Sequence, residues 1–282
     1  MKIYLEVFSL YLRSMLFAPG TKEKIMLKAI QSDADSVIID LEDSVPMHIK
    51  EEIRASVCEF LKTHETKDNI YVRINSWDSL WGKRDLIAMT ALPIRGIMLP
   101  KAESAEQLQQ VAALLPEGME LVPLVETAKG VLHAAEIAKV DKVSRLAFGA
   151  IDFTLDIGTV LSRTGHELLF ARSYLVLSST AAGILPPIDT VYPDIHDESG
   201  YQLELEEIKC LGMGGKLLIH PGQIAATHKA FTPSEEELAH CRKVVTAFEE
   251  AEKQGSAAVQ VDGKMVDYPV YSQALRKLEM AK

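Results

Sequence analysis

Cysteine is scarce in this chain: Cys58, Cys210 and Cys241 are the only three, far apart and odd in number. They form neither a CxxC pair nor a cluster with histidine, which excludes a disulfide framework and a structural zinc site. A reducing compartment, the cytoplasm, is the expected location. Positive charge is also in deficit, with 30 Lys and Arg against 40 Asp and Glu and a net charge of -10. That balance argues against nucleic acid, whose binders carry a basic patch. It leaves anionic small substrates open, because a locally basic pocket can sit on an acidic protein. No apolar run reaches membrane-spanning length. The opening segment, Met1 to Leu12, is interrupted by Glu6, has only Lys2 as a basic lead and lacks a small-residue cleavage site. It is expected to be an arm rather than a signal peptide. A dinucleotide-binding turn is missing as well: Pro19-Gly20 contains no GxGxxG, and Gly212-Met-Gly-Gly215 precedes a strand instead of following one.

What is present is a rhythm. With 282 residues, 48% hydrophobic and 25% charged, the chain can build one barrel-sized domain. Short runs that are apolar throughout recur at 14–18, 36–40, 69–73, 96–99, 121–125, 146–148, 187–191 and 216–219. Helical spacing fills most of the gaps between them. Strands apolar on both faces belong to covered parallel sheets. Eight of them alternating with helices predict a (β/α)8 TIM barrel over residues 13–230. Beyond it, residues 231–282 predict a C-terminal helical tail, with Ser234 as N-cap of a long charged helix and Glu235 to Glu237 favouring its first turn.

In such a barrel the C-terminal strand ends share one mouth. The polar residues expected there are Asp40, Glu42, Asp43, Arg73, Asn75, Lys101, Glu126, Asp152 and His220, with Arg13 at its strand's beginning. Glu126 and Asp152 each follow an apolar strand and have no histidine or cysteine nearby, so they suit a hard, oxygen-preferring ion such as Mg2+. Arg73 offers a planar fork for a carboxylate or oxyanion, or a partner for Asp40 or Glu42. Lys101 is read as an ion-pair partner ahead of a Schiff-base lysine. His220 is read equally as a base or a structural histidine.

Several stretches together resemble the citrate lyase β-subunit (CitE-like) family of the HpcH/HpaI aldolase superfamily. They are Arg13-Ser-Met-Leu-Phe-Ala-Pro-Gly20, Ile39-Asp-Leu-Glu-Asp-Ser-Val45, Val72-Arg-Ile-Asn75, Leu99-Pro-Lys101, Val125-Glu-Thr127 and Phe148-Gly-Ala-Ile-Asp-Phe153. Later come Glu167-Leu-Leu-Phe-Ala-Arg172, Asp189-Thr-Val-Tyr192 and Gly263-Lys-Met-Val-Asp-Tyr-Pro269. The resemblance implies a Mg2+-dependent lyase that splits a 3-hydroxyacyl thioester into an acetyl thioester and a 2-oxo acid. It implies Glu126 and Asp152 as metal ligands and Arg73 as a catalytic and substrate-binding residue that holds the oxo-acid oxygen or carboxylate. Arg13, the 40–43 loop and Lys101 are expected to bind substrate. Asp267 would be a catalytic carboxylate contributed to a neighbouring subunit of a homotrimer, or else a turn aspartate beside Pro269. The expected substrate is citramalyl-CoA or malyl-CoA, the alternative citryl on an acyl carrier protein, and a non-catalytic barrel a third case. Ile151 stands where many relatives carry an acid before the metal aspartate.

Overall fold

The computed structural model describes residues 12–63 and 69–279; apart from Leu12, the expected N-terminal arm lies outside the described residues. These residues fall into two compact units, 12–228 and 229–279.

The first unit is a closed parallel barrel of eight strands in sequential order, β1 (Ser14–Pro19), β2 (Ser36–Asp40), β3 (Ile70–Arg73), β4 (Gly96–Leu99), β5 (Glu120–Val125), β6 (Ala147–Phe148), β7 (Ile188–Asp189) and β8 (Gly215–Leu218). The fold is the predicted TIM barrel. Closure comes from β1 pairing with β8, with Met15 opposite Leu217, so no strand edge is left open. Met15, Ile38, Tyr71, Met98, Val122, Leu124, Ala147, Ile188 and Leu217 fill one buried cluster, drawn from every strand. Such a filled interior makes the barrel a core rather than a pore.

The covering helices are α1 (Glu23–Ile30), α2 (Lys50–Thr63), α3 (Gly82–Met89), α4 (Ala105–Ala112), α5 (Ala128–Leu132), α6 (Ala134–Ile137), α7 (Ala150–Asp156), α8 (Leu169–Ala182) and α9 (Glu198–Leu211). The single helix expected over 128–138 is broken at His133, whose backbone leaves the helical region while its Nδ1 lies 2.9 Å from the carbonyl of Glu103. Helix α7 has no counterpart in the sequence reading, and it carries Asp152 in its first turn. Only seven residues long, it is too short for periodicity to reveal. Helix α9 begins five residues earlier than expected because Asp197 caps it, accepting from the N–H of Gly200.

The charged groups of α8, β7, α9 and β8 meet in a buried knot. Arg172 grips Asp189 through Nε and Nη2 at 2.8 and 3.0 Å, and Lys216 Nζ reaches the same carboxylate at 2.8 Å. Glu204 bonds both cations. Arg172, Asp189 and Lys216 are fully buried.

Helix α10 (Ile224–Phe231) runs through residue 229, where the second unit begins. That unit comprises α11 (Glu235–Lys253), the antiparallel hairpin β9 (Val259–Val261) and β10 (Lys264–Val266), and α12 (Tyr268–Glu279). Ser234 caps α11 as expected, and Glu237 returns the bond to the Ser234 N–H. Cys241, Val244, Phe248, Val261, Val266 and Ala274 form its core. Among the described residues no helix is long and apolar enough to cross a membrane.

Candidate active site

Register places the site. Asp40 and Arg73 are paired positions at the ends of β2 and β3, so their side chains emerge side by side. Arg73 donates to Asp40 from Nε and Nη2 at 2.7 and 2.9 Å, a bidentate fork. Its remaining nitrogen, Nη1, lies 3.2 Å from Glu42 Oε2 and 3.3 Å from Asp43 Oδ2. One face of the guanidinium is covered by Phe17, whose ring centre is 4.9 Å away. The expected pairing of Arg73 with Asp40 and Glu42 is present. The fork is spent on Asp40, and one nitrogen faces the exposed side of the site.

Glu126 follows β5, whose Val125 pairs with Phe148 of β6. This register sets Gly149 against the glutamate. A Cβ on Gly149 would sit 2.7 Å from both the Cβ and Oε2 of Glu126, closer than side-chain atoms pack, so glycine is required by close approach. On the other side, Oε1 of Glu126 accepts from the N–H of Lys101 at 2.8 Å. Lys101 presents that N–H from a left-handed backbone, φ 52°, an uncommon conformation for a residue with a side chain. The glutamate is thus seated from both flanks by main chain.

A cavity of about 440 Å3 opens over these groups; among its lining residues are Asp40, Asp43, Arg73, Glu126, Gly149 and Asp152. Ile151 and Phe17 also line it. Glu42 and Lys101 do not line it but touch groups that do, and Lys101 Nζ lies 3.6 Å from Glu42. The Lys101 ammonium pKa is raised: burial lowers it, but Glu42, Glu126 and other acids outweigh that. A lysine held protonated is a poor Schiff-base nucleophile.

One expected site residue of the barrel is elsewhere. Arg13 precedes β1 and so stands at the barrel's opposite end, bound to Asp35 through Nε and Nη2 at 2.9 and 2.7 Å. Beside it Ser14 Oγ contacts His228. The substrate-binding expectation for Arg13 is corrected by its position at the strand's beginning. His220 caps the turn after β8, its Nδ1 accepting from Gly222 N–H at 3.1 Å. Asp267 belongs to the second unit, where it caps α12 through Val270 N–H at 3.3 Å.

Sequence reasoning missed Lys50 as a support of the 41–44 loop, and it placed Asn75 at the mouth without this supporting role. Lys50, buried, donates to the carbonyls of Leu41 and Glu42 at 3.1 and 2.8 Å. Asn75 donates to Leu41 O at 2.9 Å and is itself held by Asp85. Nothing in the sequence marks Lys50, because a lysine opening a helix is ordinarily a solvated residue.

Buried acids dominate the electrostatics of the site. Burial, reinforced by Glu42 and Asp152, pushes the Glu126 carboxyl up to about 8. Burial likewise raises Glu42 to about 7 against the pull of Arg73. Glu42 Oε2 is buried and meets Arg73 Nη1 at 3.2 Å without an aligned hydrogen bond. Several carboxylates thus face two cationic side chains, Arg73 and Lys101. Among the described residues no three His, Cys, Asp or Glu side chains form a metal cage. Mg2+ does not need one: it is commonly bound through one or two carboxylates, with water and substrate completing the shell. Glu126 and Asp152, oxygen donors on one cavity, fit that requirement.

The comparisons with known proteins agree with the sequence resemblance. Residues 13–221 match the HpcH/HpaI aldolase/citrate lyase family. The chain is 35% identical to the citrate lyase subunit beta of Leuconostoc mesenteroides over 281 residues, covering 95% of this chain and 93% of that one. It is 36% identical to a (3S)-malyl-CoA thioesterase of Cereibacter sphaeroides over 256 residues, covering 90% and 89%. The crystal structure of CitE from Mycobacterium tuberculosis, in complex with magnesium, acetoacetate and coenzyme A, superposes with a TM-score of 0.83 at 33% identity, covering 97% of this chain and 99% of that one. Shared barrel and sequence likeness over nearly the whole chain place this protein in the HpcH/HpaI aldolase/citrate lyase family, as a lyase.

Proposed function

We propose that this chain is a Mg2+-dependent carbon–carbon lyase that cleaves citramalyl-CoA or malyl-CoA to acetyl-CoA and a 2-oxo acid. The observation that carries the reading is one cavity lined by both the Glu126 and Asp152 carboxylates and by Arg73. The magnesium, acetoacetate and coenzyme A bound by the M. tuberculosis relative support it.

Mg2+ held by Glu126 and Asp152 would supply Lewis-acid polarisation of the oxo-acid oxygens. The chain's own residues do the rest. Arg73 stabilises negative charge on the departing oxo acid, and Asp40 fixes the plane of its guanidinium. Glu126 is kept in one orientation by Lys101 N–H and by the space at Gly149. Cleavage also requires a base for the substrate hydroxyl proton. We assign it to Asp267 of a neighbouring copy in a homotrimer. Asp267→Ala should lower turnover about 10²–10⁴-fold, the usual contribution of general acid–base groups. Loss of its cap costs only about 1 kcal/mol, so assembly should persist by sedimentation. Undiminished activity would refute the assignment.

A second reading, the β subunit of citrate lyase acting on citryl bound to an acyl carrier protein, is favoured by the 35% identity to that subunit. The purified enzyme assayed with citramalyl-CoA, malyl-CoA, citryl-CoA and citryl bound to an acyl carrier protein should turn over one of the first two. Activity only with the carrier-bound thioester would replace the leading reading by the second. No activity in any arm would leave a non-catalytic barrel.

A further inference from the structure

We propose that Asp43 is a displaceable placeholder on Arg73, occupying the nitrogen that the carboxylate of an incoming 2-oxo acid takes. The inference rests on the lyase reading and deepens it, because it identifies which contact substrate must break and which charge the site selects.

Arg73 has three nitrogens and their partners are unequal. Nε and Nη2 are committed to Asp40, whose side chain is only 4% exposed. Withdrawing Asp40 would strand two buried charges, a severe cost. Nη1 alone has both of its N–H groups outside that fork, and Phe17 covers one guanidinium face. Nη1 faces Glu42 and Asp43 at nearly equal distances, 3.2 and 3.3 Å. Glu42 is 8% exposed and its backbone is pinned by Lys50, whereas Asp43 is 60% exposed and lines the cavity. Asp43 can leave for water and regain full hydration. A substrate carboxylate and Asp43 therefore compete for one donor, and as like charges they repel while both are near it.

Asp43→Asn keeps the size of the side chain and removes its charge. In isothermal titration with saturating Mg2+, this variant should bind pyruvate about two- to fivefold more tightly than the unaltered chain, the range exposed ion pairs support. The gain should shrink as salt rises, since an exposed charge is screened. The neutral methyl ester of pyruvate should bind both proteins alike. Weaker or unchanged pyruvate binding, or equal tightening for the ester, overturns the placeholder. Failure of the unaltered chain itself to bind pyruvate or oxaloacetate overturns the oxo-acid reading, and the placeholder with it.

Discussion

Glu126→Gln is expected to abolish measurable Mg2+ binding and to reduce turnover by at least about a hundredfold, beyond what loss of a group supporting a ligand costs. Glutamine keeps the shape, and its carbonyl can still accept the N–H of Lys101 that now reaches Oε1 at 2.8 Å. What disappears is the negative charge that Glu126 must take on to hold a cation, a charge that burial, Glu42 and Asp152 already disfavour. The metal-free variant should therefore be no less stable than its parent, because a carboxyl held against burial has become a neutral amide. The parent should gain thermal stability with added Mg2+, as any ligand of the folded state provides; Glu126→Gln should not. Calorimetric Mg2+ titration and thermal melts with and without Mg2+ read both effects. Retained Mg2+ affinity would mean that Glu126 is not a ligand.

Asp189→Asn should instead unfold the barrel readily, at a cost of about 3–5 kcal/mol, the typical loss when one partner of a buried ion pair is removed. The carboxylate is the common partner of Arg172 and Lys216, and both cations are fully buried. Glu204 would remain, but a single carboxylate then faces two cations. Burial alone would raise the Asp189 carboxyl; Lys216 and Arg172 outweigh it and hold it below the usual carboxylate range. A depressed folded value means that this contribution is fully present above about pH 4, the unfolded range, and is lost as pH falls through the folded value. Urea denaturation between pH 7 and pH 3 should show the parent losing stability on the acid side and Asp189→Asn losing less. An equal acid loss in both would show that Asp189 is not a source of the dependence. Adding Lys216→Met to Asp189→Asn should recover part of the loss, since it removes the excess cation.

The same residues show how far sequence reading reaches. Seven of the eight strands were bounded to within a residue at each end, because strands buried on both faces are nearly continuous apolar runs. Only β7 is clearly shorter than its run, two residues against the five at 187–191. Glu126 and Asp152 were legible as acids following such strands, although Asp152 stands in a short helix rather than at a strand end. The 172 and 189 motif positions were visible only as resemblance. Their buried pairing could not be read from sequence, since an Arg on a helix and an Asp at a strand end each look solvent-facing alone.

Sequence by itself determined the barrel, the long capped helix and the two acids fit for a hard cation, because periodicity, capping and donor chemistry are local properties. Tertiary structure decided what each charge does. Arg13 and Arg73 both stand at strand ends, but strand direction sends one to the far end of the barrel and the other to the cavity. Register then gave Asp40 the fork of Arg73 and left Nη1 facing Asp43. It also set Gly149 beside Glu126. Such partnerships join residues 23 to 33 positions apart, and only the closed sheet brings them together.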